Sequence, residues 1–379
     1  MDAMAPFTRP LVATCLALLL AGCGAEDSPA APPSAPPPST SSGPVPSTSV
    51  SAPGEAGPIP GFGPAQSVGE GISVPWGVDF LPDGTALVAE RTTGRILRIT
   101  PDGEQTEEMT VPGVADLGEG GLLGLAVSPA YADDGLVYAY YTTDEDNRIA
   151  RFTLGGEPEV LLDGIQNGEI HNGGRIAFGP DGMLYAGVGD AGDTDNAQDP
   201  DSLNGKILRM TPDGGVPADN PAAGSLVYTL GHRNVQGLAW DAAGVMYGVE
   251  FGQNEFDEVN LIQAGANYGW PIVEGEGDTD GGRYVNPLVT WTTDEASPSG
   301  AAVIGQTLYV AALGGQRLWA IPITGNGELG EPVALLEGVY GRLRTVVQGP
   351  DGALWLTSSN TSRGDPLDGD DHVYLFPPA

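Results

Sequence analysis

One three-strand pattern recurs six times along this chain, and it limits the folds that the chain can adopt. A second and a third β-branched or aromatic run follow the first run of each copy, separated by Gly, Pro, Asp and Asn. Short strands repeated at a period of roughly 45 to 60 residues are typical of a β-propeller. The sequence therefore predicts an all-β, six-bladed β-propeller. The first runs of the copies lie at 77–84, 124–130, 175–182, 237–244, 300–306 and 344–352.

A fourth strand completes the pattern in five copies, with the sequences EEMTVP, EVLLDG, LVYTLG, PLVTW and VALLEG. The last copy ends at Ala379 without one, and the segment 65–73, before the first copy, can supply the missing outer strand. We therefore expect four-stranded antiparallel blades and a ring closed by an N-terminal strand. The alternatives are a pair of β-sandwiches or an open solenoid, but six copies without polar capping repeats favour closure.

The N-terminal segment indicates export. An apolar run at 10–22, preceded by Arg9, is too short to span a membrane and is typical of a secretory signal. It ends in the tetrad LAGC, which resembles a bacterial lipobox. We therefore expect residues 1–22 to be a lipoprotein signal peptide, Cys23 to be lipidated, and the protein to be anchored on the outer face of the cytoplasmic membrane. The alternative is an ordinary signal peptide with Cys23 incidental.

The remaining chain divides by composition. Residues 23–61 are mostly Ala, Pro, Ser, Gly and Thr, a composition that cannot bury enough apolar surface to fold, so we expect a disordered tether. Residues 62–379 carry the repeats and form the predicted propeller domain. The chain's two cysteines, Cys15 and Cys23, lie before this domain, which therefore has no disulfide.

The charge balance excludes two classes of partner. Fifteen Lys and Arg face 50 Asp and Glu, a formal net charge of −35. Such an acidic surface repels nucleic acid and anionic lipid, so the expected contact with a membrane is the N-terminal lipid anchor alone.

Polar residues that interrupt the strands are predicted to meet at one rim of the propeller. In an up-and-down blade, the loops between blades and the loops between second and third strands open on the same rim. Arg233, Arg342 and Arg344 fall in these loops, although basic residues are few. Three guanidinium groups around one mouth predict a site for an anion such as a carboxylate or a phosphate. The alternative is that each arginine pairs with a neighbouring acidic residue.

His171 lies in the same set of loops, and a histidine there can act as a general base near neutral pH. The alternative is a structural, hydrogen-bonding histidine, the role that we expect for His232. The acidic segment 189–201 has alternating oxygen ligands but lacks the full EF-hand spacing, so it is either a calcium loop or a solvated turn. The segment 251–258 offers backbone carbonyls and carboxylates to a hard cation.

Several ordered motifs identify a family resemblance. They are AERTTGRILRI, GEGGLLGLAVSP, IHNGGRIAFGPDGMLYAGVGDAGD, NGKILRMTPDG, YTLGHRNVQGLAW, DEVNLIQAGANYGWP and GRLRTVV. Together they resemble the soluble PQQ-dependent sugar dehydrogenases, in particular the aldose sugar dehydrogenase (glucose/sorbosone dehydrogenase) family. The resemblance runs from about Val74 to the C-terminus. It implies a six-bladed propeller that binds PQQ and Ca²⁺.

The resemblance also implies roles for individual residues. His171 matches the base that removes the proton of the sugar C1 hydroxyl, and Arg233 matches the arginine beside the reactive carbonyl of the quinone. Asn234 matches a neighbouring cofactor contact, while Arg342 and Arg344 match the pair that binds the carboxylates of the cofactor. Trp291 falls near an aromatic residue that stacks on the cofactor.

For the metal, the backbone carbonyls of Gly252 and Gln253 match those that hold the catalytic calcium, and Glu258 and Tyr268 match positions of a second calcium. The chain departs from the family at three further positions. Glu119 replaces a glutamine that contacts substrate, Ile170 replaces an acidic residue, and Gly314 replaces a cofactor-binding lysine.

These observations predict that the chain oxidises the anomeric hydroxyl of aldose sugars to lactones, with hydride transfer to PQQ and an external electron acceptor that regenerates it. One alternative is a calcium-dependent propeller lactonase, which would act without PQQ. The other is a non-catalytic sugar-binding lipoprotein that retains the fold and has lost the cofactor.

Overall fold

Each copy of the repeat forms one antiparallel sheet in the computed structural model, which describes residues 58–379. The expected signal peptide, lipidation at Cys23 and most of the tether therefore lie outside the described residues. Within residues 58–379 there are six such sheets, each of four strands except for one extended by a short hairpin strand. The all-β, six-bladed propeller of four-stranded blades is confirmed.

The strands follow one another along the chain from the innermost to the outermost position of each blade. The first three blades have the bounds β1 Gln66–Gly69 (which pairs in the last blade), β2 Pro75–Phe80, β3 Ala86–Glu90, β4 Arg95–Ile99, β5 Gln105–Thr110, β6 Leu122–Val127, β7 Leu136–Thr142, β8 Asn147–Thr153, β9 Glu159–Ile165, β10 Ile176–Phe178, β11 Leu184–Val188, β12 Lys206–Met210 and β13 Val227–Leu230.

The other three blades have the bounds β14 Val235–Trp240, β15 Met246–Glu250, β16 Phe256–Ile262, β17 Val289–Thr292, β18 Pro298–Ile304, β19 Thr307–Ala312, β20 Arg317–Gly325, β21 Glu328–Leu329, β22 Val333–Leu335, β23 Leu343–Gln348, β24 Leu354–Ser358 and β25 Val373–Phe376. Short helices occur in the connections, at α1 Tyr131–Asp134, α2 Asp195–Gln198 and α3 Asn360–Arg363, with a 3₁₀ turn at Asp280–Gly282. No helix within residues 58–379 is both long enough and apolar enough to cross a membrane.

The ring is closed by strand β1, as predicted. It pairs antiparallel with β25, so that Gln66 lies opposite Leu375 and Gly69 opposite Val373. Ile59 is also buried, in the apolar core that includes Phe376. The packed region therefore begins slightly before residue 62, the boundary expected from composition.

The apolar core is divided among the interfaces between neighbouring blades. Six clusters of buried side chains follow one another around the ring, one at each interface. Near the axis the inner strands approach so closely that only glycine fits. A Cβ on Gly124 would lie 2.2 Å from the carbonyl oxygen of Gly174, and one on Gly237 would lie 2.4 Å from that of Ser299. This contact explains why glycine recurs at the first strand of the repeat.

Candidate functional site

A cavity opens at one rim of the propeller. Its lining comes from loops of several blades, because each blade contributes the connection to its inner strand. Four arginines and one glutamate supply the lining charges. The lining residues are Trp76, Arg91, Gly118, Glu119, Gln236, Phe251, Leu313, Arg342, Arg344, Ser362 and Arg363.

Arg342 and Arg344 have no ion pair with a carboxylate among the described residues, whereas Arg91 lies 3.9 Å from Asp116. Arg344 is 7% exposed and donates to the side chains of Ser359 (3.2 Å) and Gln236 (3.4 Å). Burial, followed by repulsion from Arg91 and Arg342, lowers the pKa of Arg344 to about 9. The buried Nε of Arg342 has no hydrogen-bond partner among the described residues. This donor set fits an anionic ligand with several carboxylates, as predicted for the arginine group.

The cavity-lining Trp76 packs against a further arginine, Arg175, which is not part of the lining. The guanidinium of Arg175 lies 4.2 Å from the ring centre of Trp76, and that of Arg344 lies 5.9 Å from it. Arg175 donates to the carbonyl of Gln236 (2.8 Å) and to the hydroxyl of Thr345 (3.0 Å). Because no anion neutralises it, burial lowers the pKa of Arg175 to about 9. A buried positive charge therefore lies behind the aromatic ring that lines the cavity.

His171 is paired with a carboxylate. Its Nδ1 lies 2.6 Å from Asp190 Oδ1, and the other oxygen of Asp190 accepts a hydrogen bond from Trp270 Nε1 (2.9 Å). Burial alone would raise the pKa of Asp190, but hydrogen bonds from His171, Gly192 and Trp270 lower it below its usual value. Nε2 of His171 has no hydrogen bond with the described residues and remains able to accept a proton.

The backbone around His171 is held in an unusual conformation. His171 has a φ of 58°, in the left-handed region that costs a β-carbon residue energy. Its N–H donates to Glu119 Oε2 (3.0 Å), and its carbonyl accepts from Ala191 (3.1 Å). A Cβ on Gly189 would lie 1.9 Å from the carbonyl oxygen of His171, so glycine is required there. These contacts fix the imidazole relative to Asp190.

The acidic loop 189–201 is organised by an ammonium group. Lys206 is fully buried, and its Nζ donates to the carbonyls of Asn196 (2.6 Å), Ala197 (3.2 Å) and Asn204 (2.7 Å). Asn196 in turn donates to the carbonyl of Asp190 (3.0 Å). The single lysine of the chain thus supports the carboxylate that contacts His171.

Arg233 and Asn234 lie on the same rim as His171. The carbonyl of Arg233 accepts from the N–H of Asp190 (2.8 Å), which joins the two sides of the site. Gln253 Oε1 accepts from Arg233 at both Nε (3.0 Å) and Nη2 (2.7 Å). Asn234 is fully buried, and its Nδ2 has no partner among the described residues, which fits a role in ligand binding.

The carbonyls of Gly252 and Gln253 accept no hydrogen bond from residues 58–379, so both could coordinate a cation. Glu274 Oε1 holds their loop through four backbone N–H groups, at 253–256. Within the described chain no group of three or more His, Cys, Asp or Glu side chains is arranged to hold a metal. A calcium ion here would therefore depend on main-chain oxygens.

The second candidate cation position contains a strongly buried acid. Burial and the nearby Glu250 raise the pKa of Glu258 to about 8. Its oxygens accept from Gly275 (2.7 Å) and Asn260 (3.0 Å), while the hydroxyl of Tyr268 donates to Leu261 (2.6 Å). The Tyr268 hydroxyl is thus already engaged, and only its main-chain oxygen could contact a cation.

His232 is structural, as expected from the sequence. Its Nδ1 lies 2.8 Å from Glu250 and its Nε2 lies 2.8 Å from Thr229, so both nitrogens are occupied. The ring is fully buried and stacks on Tyr268 with 4.7 Å between the ring centres.

Trp291 does not line this cavity, and its contact with the cofactor stays a prediction. It lies on β17, the outermost strand of its blade, and stacks on Trp319 in the adjacent blade with 5.2 Å between ring centres. Trp76 and Phe251 are the aromatic residues that line the cavity. Gly314 is also tightly packed, because a Cβ there would lie 2.5 Å from Ser297 Oγ.

Several site residues were missed from the sequence. Asp190, Trp270, Trp76, Arg91 and Arg363 all contribute to the site, but their residue types gave little signal. Asp190 is one of 50 acidic residues, and Trp76 looks like an ordinary core aromatic. The position of Asp190 in the rim loop after β11 was the one usable clue.

Comparison with known proteins agrees with this geometry. Residues 72–365 match the family described as Glucose / Sorbosone dehydrogenase. The PQQ-bound aldose sugar dehydrogenase from Streptomyces coelicolor is 50% identical, with a TM-score of 0.79, over 84% of this chain and 99% of that one. The aldose sugar dehydrogenase of Escherichia coli is 27% identical over 76% of this chain and 88% of that protein.

Quinoprotein glucose dehydrogenase B of Acinetobacter calcoaceticus is 35% identical over 252 residues, which are 56% of this chain and 52% of that protein. The chain thus matches about half of this relative and nearly all of the Streptomyces structure. The family match covers most of the described residues, including the cavity lining and the His171–Asp190 pair. This chain therefore belongs to the glucose/sorbosone dehydrogenase family of oxidoreductases.

Proposed function

We propose that this chain oxidises the C1 hydroxyl of aldose sugars to lactones, with PQQ as the hydride acceptor and Ca²⁺ beside it. The observation that supports this most directly is the His171–Asp190 pair, 2.6 Å apart, on the rim of an arginine-lined cavity. An external acceptor would then return the cofactor to its oxidised form.

The cavity donors fit a planar polycarboxylate. Arg342 and Arg344 supply guanidinium forks, and Trp76 supplies an aromatic surface. The buried Nδ2 of Asn234, outside the lining, has no partner among the described residues. Four lining arginines in a protein of net charge −35 favour a multiply charged anion over a neutral ligand. When bound, PQQ would supply a quinone that takes a hydride from the sugar carbon.

His171 would accept the hydroxyl proton at Nε2. Asp190 holds the proton of Nδ1, which keeps Nε2 unprotonated, and it stabilises the imidazolium that forms. Trp270 fixes the carboxylate by its hydrogen bond of 2.9 Å. The same group would return the proton to water when the lactone leaves.

Arg233 would stabilise negative charge that develops next to the sugar. It is 8% exposed, and burial lowers its pKa below the usual range although nearby carboxylates oppose this. A cation in so dry a position acts more strongly than one in water. Calcium held by the carbonyls of Gly252 and Gln253 would act there as a Lewis acid.

The sugar specificity would depend on the rim loops. Glu119 accepts a hydrogen bond from the backbone of His171 and lines the cavity, so we propose that it contacts the substrate. Ile170 is 40% exposed beside the base and offers an apolar surface. This combination favours binding of a range of aldoses over recognition of a single sugar by a charged group.

Reconstitution tests the proposal. The apo-protein is incubated with PQQ and Ca²⁺, and dye reduction is followed with a panel of aldoses. We expect reduction that requires PQQ and that falls at least about a hundredfold in His171→Ala, since general-base catalysis contributes about 10²–10⁴-fold. His372→Ala, at a histidine near the chain end, is the matched control. Lactone hydrolysis without PQQ would instead support the lactonase alternative, and sugar binding without turnover would support the binding protein.

We also propose that Cys23 carries the lipid anchor and that the domain faces the exterior of the cytoplasmic membrane. The LAGC tetrad supports this proposal. Expression in a bacterial host with a labelled fatty acid tests it, with Cys15→Ser as the control for Cys23→Ser. Label that persists in Cys23→Ser would refute the assignment.

A further inference from the structure

Arg363 lies at the cavity but is paired differently from the other arginines there. It ends helix α3, lines the cavity and is exposed, with 61% of its side chain accessible. Its Nη2 lies 3.1 Å from Oε1 of Glu119, which belongs to the loop before β6. The Arg363–Glu119 pair therefore spans the mouth between two blades.

The pair is weak enough to be exchanged. Ion pairs with exposed partners contribute little to stability because water and salt screen them. Oε2 of Glu119 is already used by the N–H of His171 (3.0 Å), so only Oε1 holds the guanidinium. A ligand with several carboxylates in the cavity would present more negative charge to Arg363 than this one oxygen does.

The backbone of α3 keeps Arg363 next to Arg342. Asn360, the first residue of α3, accepts the N–H of Arg342 at Oδ1 (2.8 Å) and donates to the carbonyl of Tyr340 (3.2 Å). Gly364 follows directly, and a Cβ there would lie 3.0 Å from Cδ of Arg342. The guanidinium of Arg363 is also near enough to lower the pKa of Arg342 and of Arg91 by repulsion, after the larger effect of burial.

Four arginines around one cavity repel one another, so an anion among them is favourable. The buried Nε atoms of Arg91 and Arg342 have no partner among the described residues, and Arg363 adds a further charge at the entrance. Glu119 is the one carboxylate in the lining. Glu119 therefore serves as the counter-ion of Arg363.

We propose that Arg363 is a further cofactor-binding residue, which leaves Glu119 and pairs with a carboxylate of the anion bound in the cavity. This inference rests on the proposed function for the identity of that anion. Glu119 competes with the ligand for Arg363, and Oε1 of Glu119 becomes free beside His171 once the ligand is bound.

Direct binding measurements test this assignment without relying on turnover. The dissociation constant of PQQ is measured by calorimetry on the full-length apo-protein with Ca²⁺ at several salt concentrations. We expect Arg363→Ala to raise the Kd about tenfold or more and to weaken its salt dependence, because one charge-assisted contact is lost. Arg363→Lys should recover part of the loss. Glu119→Gln should lower the Kd, because glutamine can still accept the N–H of His171 but no longer holds the guanidinium.

Arg283→Ala is the matched control, because Arg283 is an exposed arginine paired with Asp280 at 3.6 Å and does not line the cavity. Thermal unfolding of the ligand-free variants, expected to match the wild type, verifies folding. A Kd within twofold of wild type in Arg363→Ala, or weaker binding in Glu119→Gln, would overturn the inference.

A second anion separates this inference from the proposed function. Benzene-1,2,4-tricarboxylate is titrated into the same proteins. If the wild type binds this tricarboxylate more tightly than Arg363→Ala does and yet does not bind PQQ, the proposed function fails and the role of Arg363 stands. If the wild type and Arg363→Ala bind PQQ equally well, the proposed function stands and the role of Arg363 is rejected. Binding of neither anion rejects both.

Discussion

Asp190 determines which nitrogen of His171 is free to accept a proton. In Asp190→Asn, the amide can donate to Nδ1, so the proton moves to Nε2 and the base is lost. We expect kcat to fall about a hundredfold or more with a small change in KM. Steady-state dye reduction measures this, with Asp195→Asn, an exposed residue of the same loop, as the control. Equal losses in both variants would show that the loop, and not the carboxylate, is responsible.

Loop position and family motifs explain which site residues the sequence could predict. His171, Arg233, Arg342 and Arg344 fall in rim loops and match family motifs, whereas Arg91 and Arg363 belong to an equally scarce residue type and were missed. Asp190 was not distinguished, because any single carboxylate among 50 acidic residues carries little information. Its role depends on a contact across the rim, which composition and spacing do not encode.

The prediction for Trp291 rests on a different kind of signal. The run PLVTW occupies the fourth position of its repeat, and that position is outermost in every blade. An aromatic residue there packs on the neighbouring blade, as Trp291 does on Trp319. Trp76 occupies the inner strand β2 and lies at the axis instead. Strand order in the repeat therefore indicates that Trp291 lies away from the cavity lining, and its contact with the cofactor stays a prediction from the family motif.

At the scale of an element, the loop 189–205 depends on one buried lysine. Lys206→Met leaves three backbone carbonyls without their donor, and each unsatisfied buried acceptor costs about 1–3 kcal/mol. We expect a loss of about 2 kcal/mol or more in the free energy of unfolding, measured by urea denaturation, together with a lower kcat. Thr194→Ala, exposed in the same loop, is the control. Unchanged stability in Lys206→Met would contradict this account of the loop.

The same lysine makes the free energy of unfolding depend on pH between about 8 and 10.5. Burial lowers the pKa of Lys206 from 10.5 to about 8 in the folded protein. Between these values the folded chain has released a proton that the unfolded chain still holds, so this group makes the folded state more stable as the pH rises. We expect the unfolding free energy of wild type to increase relative to Lys206→Met by up to about 1.4 kcal/mol per pH unit in this window. Parallel pH profiles for the two proteins would contradict the assignment.

The closing strand offers a test of the ring. Val68 is 4% exposed in the core between the last and first blades, whereas Gln66 on the same strand is exposed. Val68→Asp should lower the unfolding free energy by about 3 kcal/mol or more, because a charge replaces a buried apolar side chain. Gln66→Asp should have little effect. Urea denaturation compares them, and similar stabilities would mean that β1 does not close the ring in solution.

Most of the fold could be predicted from the repeated strand pattern. Six copies of three strands indicated the blades, and the missing fourth strand of the last copy indicated that the N-terminal segment pairs with β25. The sequence could not predict the excursion 263–288 between β16 and β17, which carries Trp270 to the rim. It falls outside the repeated pattern, and its course is fixed by contacts with distant residues such as Gly231 and Asp190.

At the scale of the whole molecule, charge should control how the external electron acceptor approaches. The chain has a net charge of −35, and an anionic ligand in the cavity would offset the arginines at the mouth. A field of this sign attracts cations over distances of about 10 Å at 0.1 M salt and repels anions. Reoxidation should therefore respond to salt with opposite sign for acceptors of opposite charge.

Stopped-flow reoxidation of the sugar-reduced holoenzyme measures this with hexaammineruthenium(III), a cation, and ferricyanide, an anion. We expect the second-order rate constant to fall with added salt for the first acceptor and to rise for the second, because salt screens attraction in one case and repulsion in the other. The comparison uses the two salt slopes, since the driving forces of the acceptors differ. Slopes of the same sign would mean that the arginines of the cavity, and not the acidic surface, set the potential that the acceptor meets.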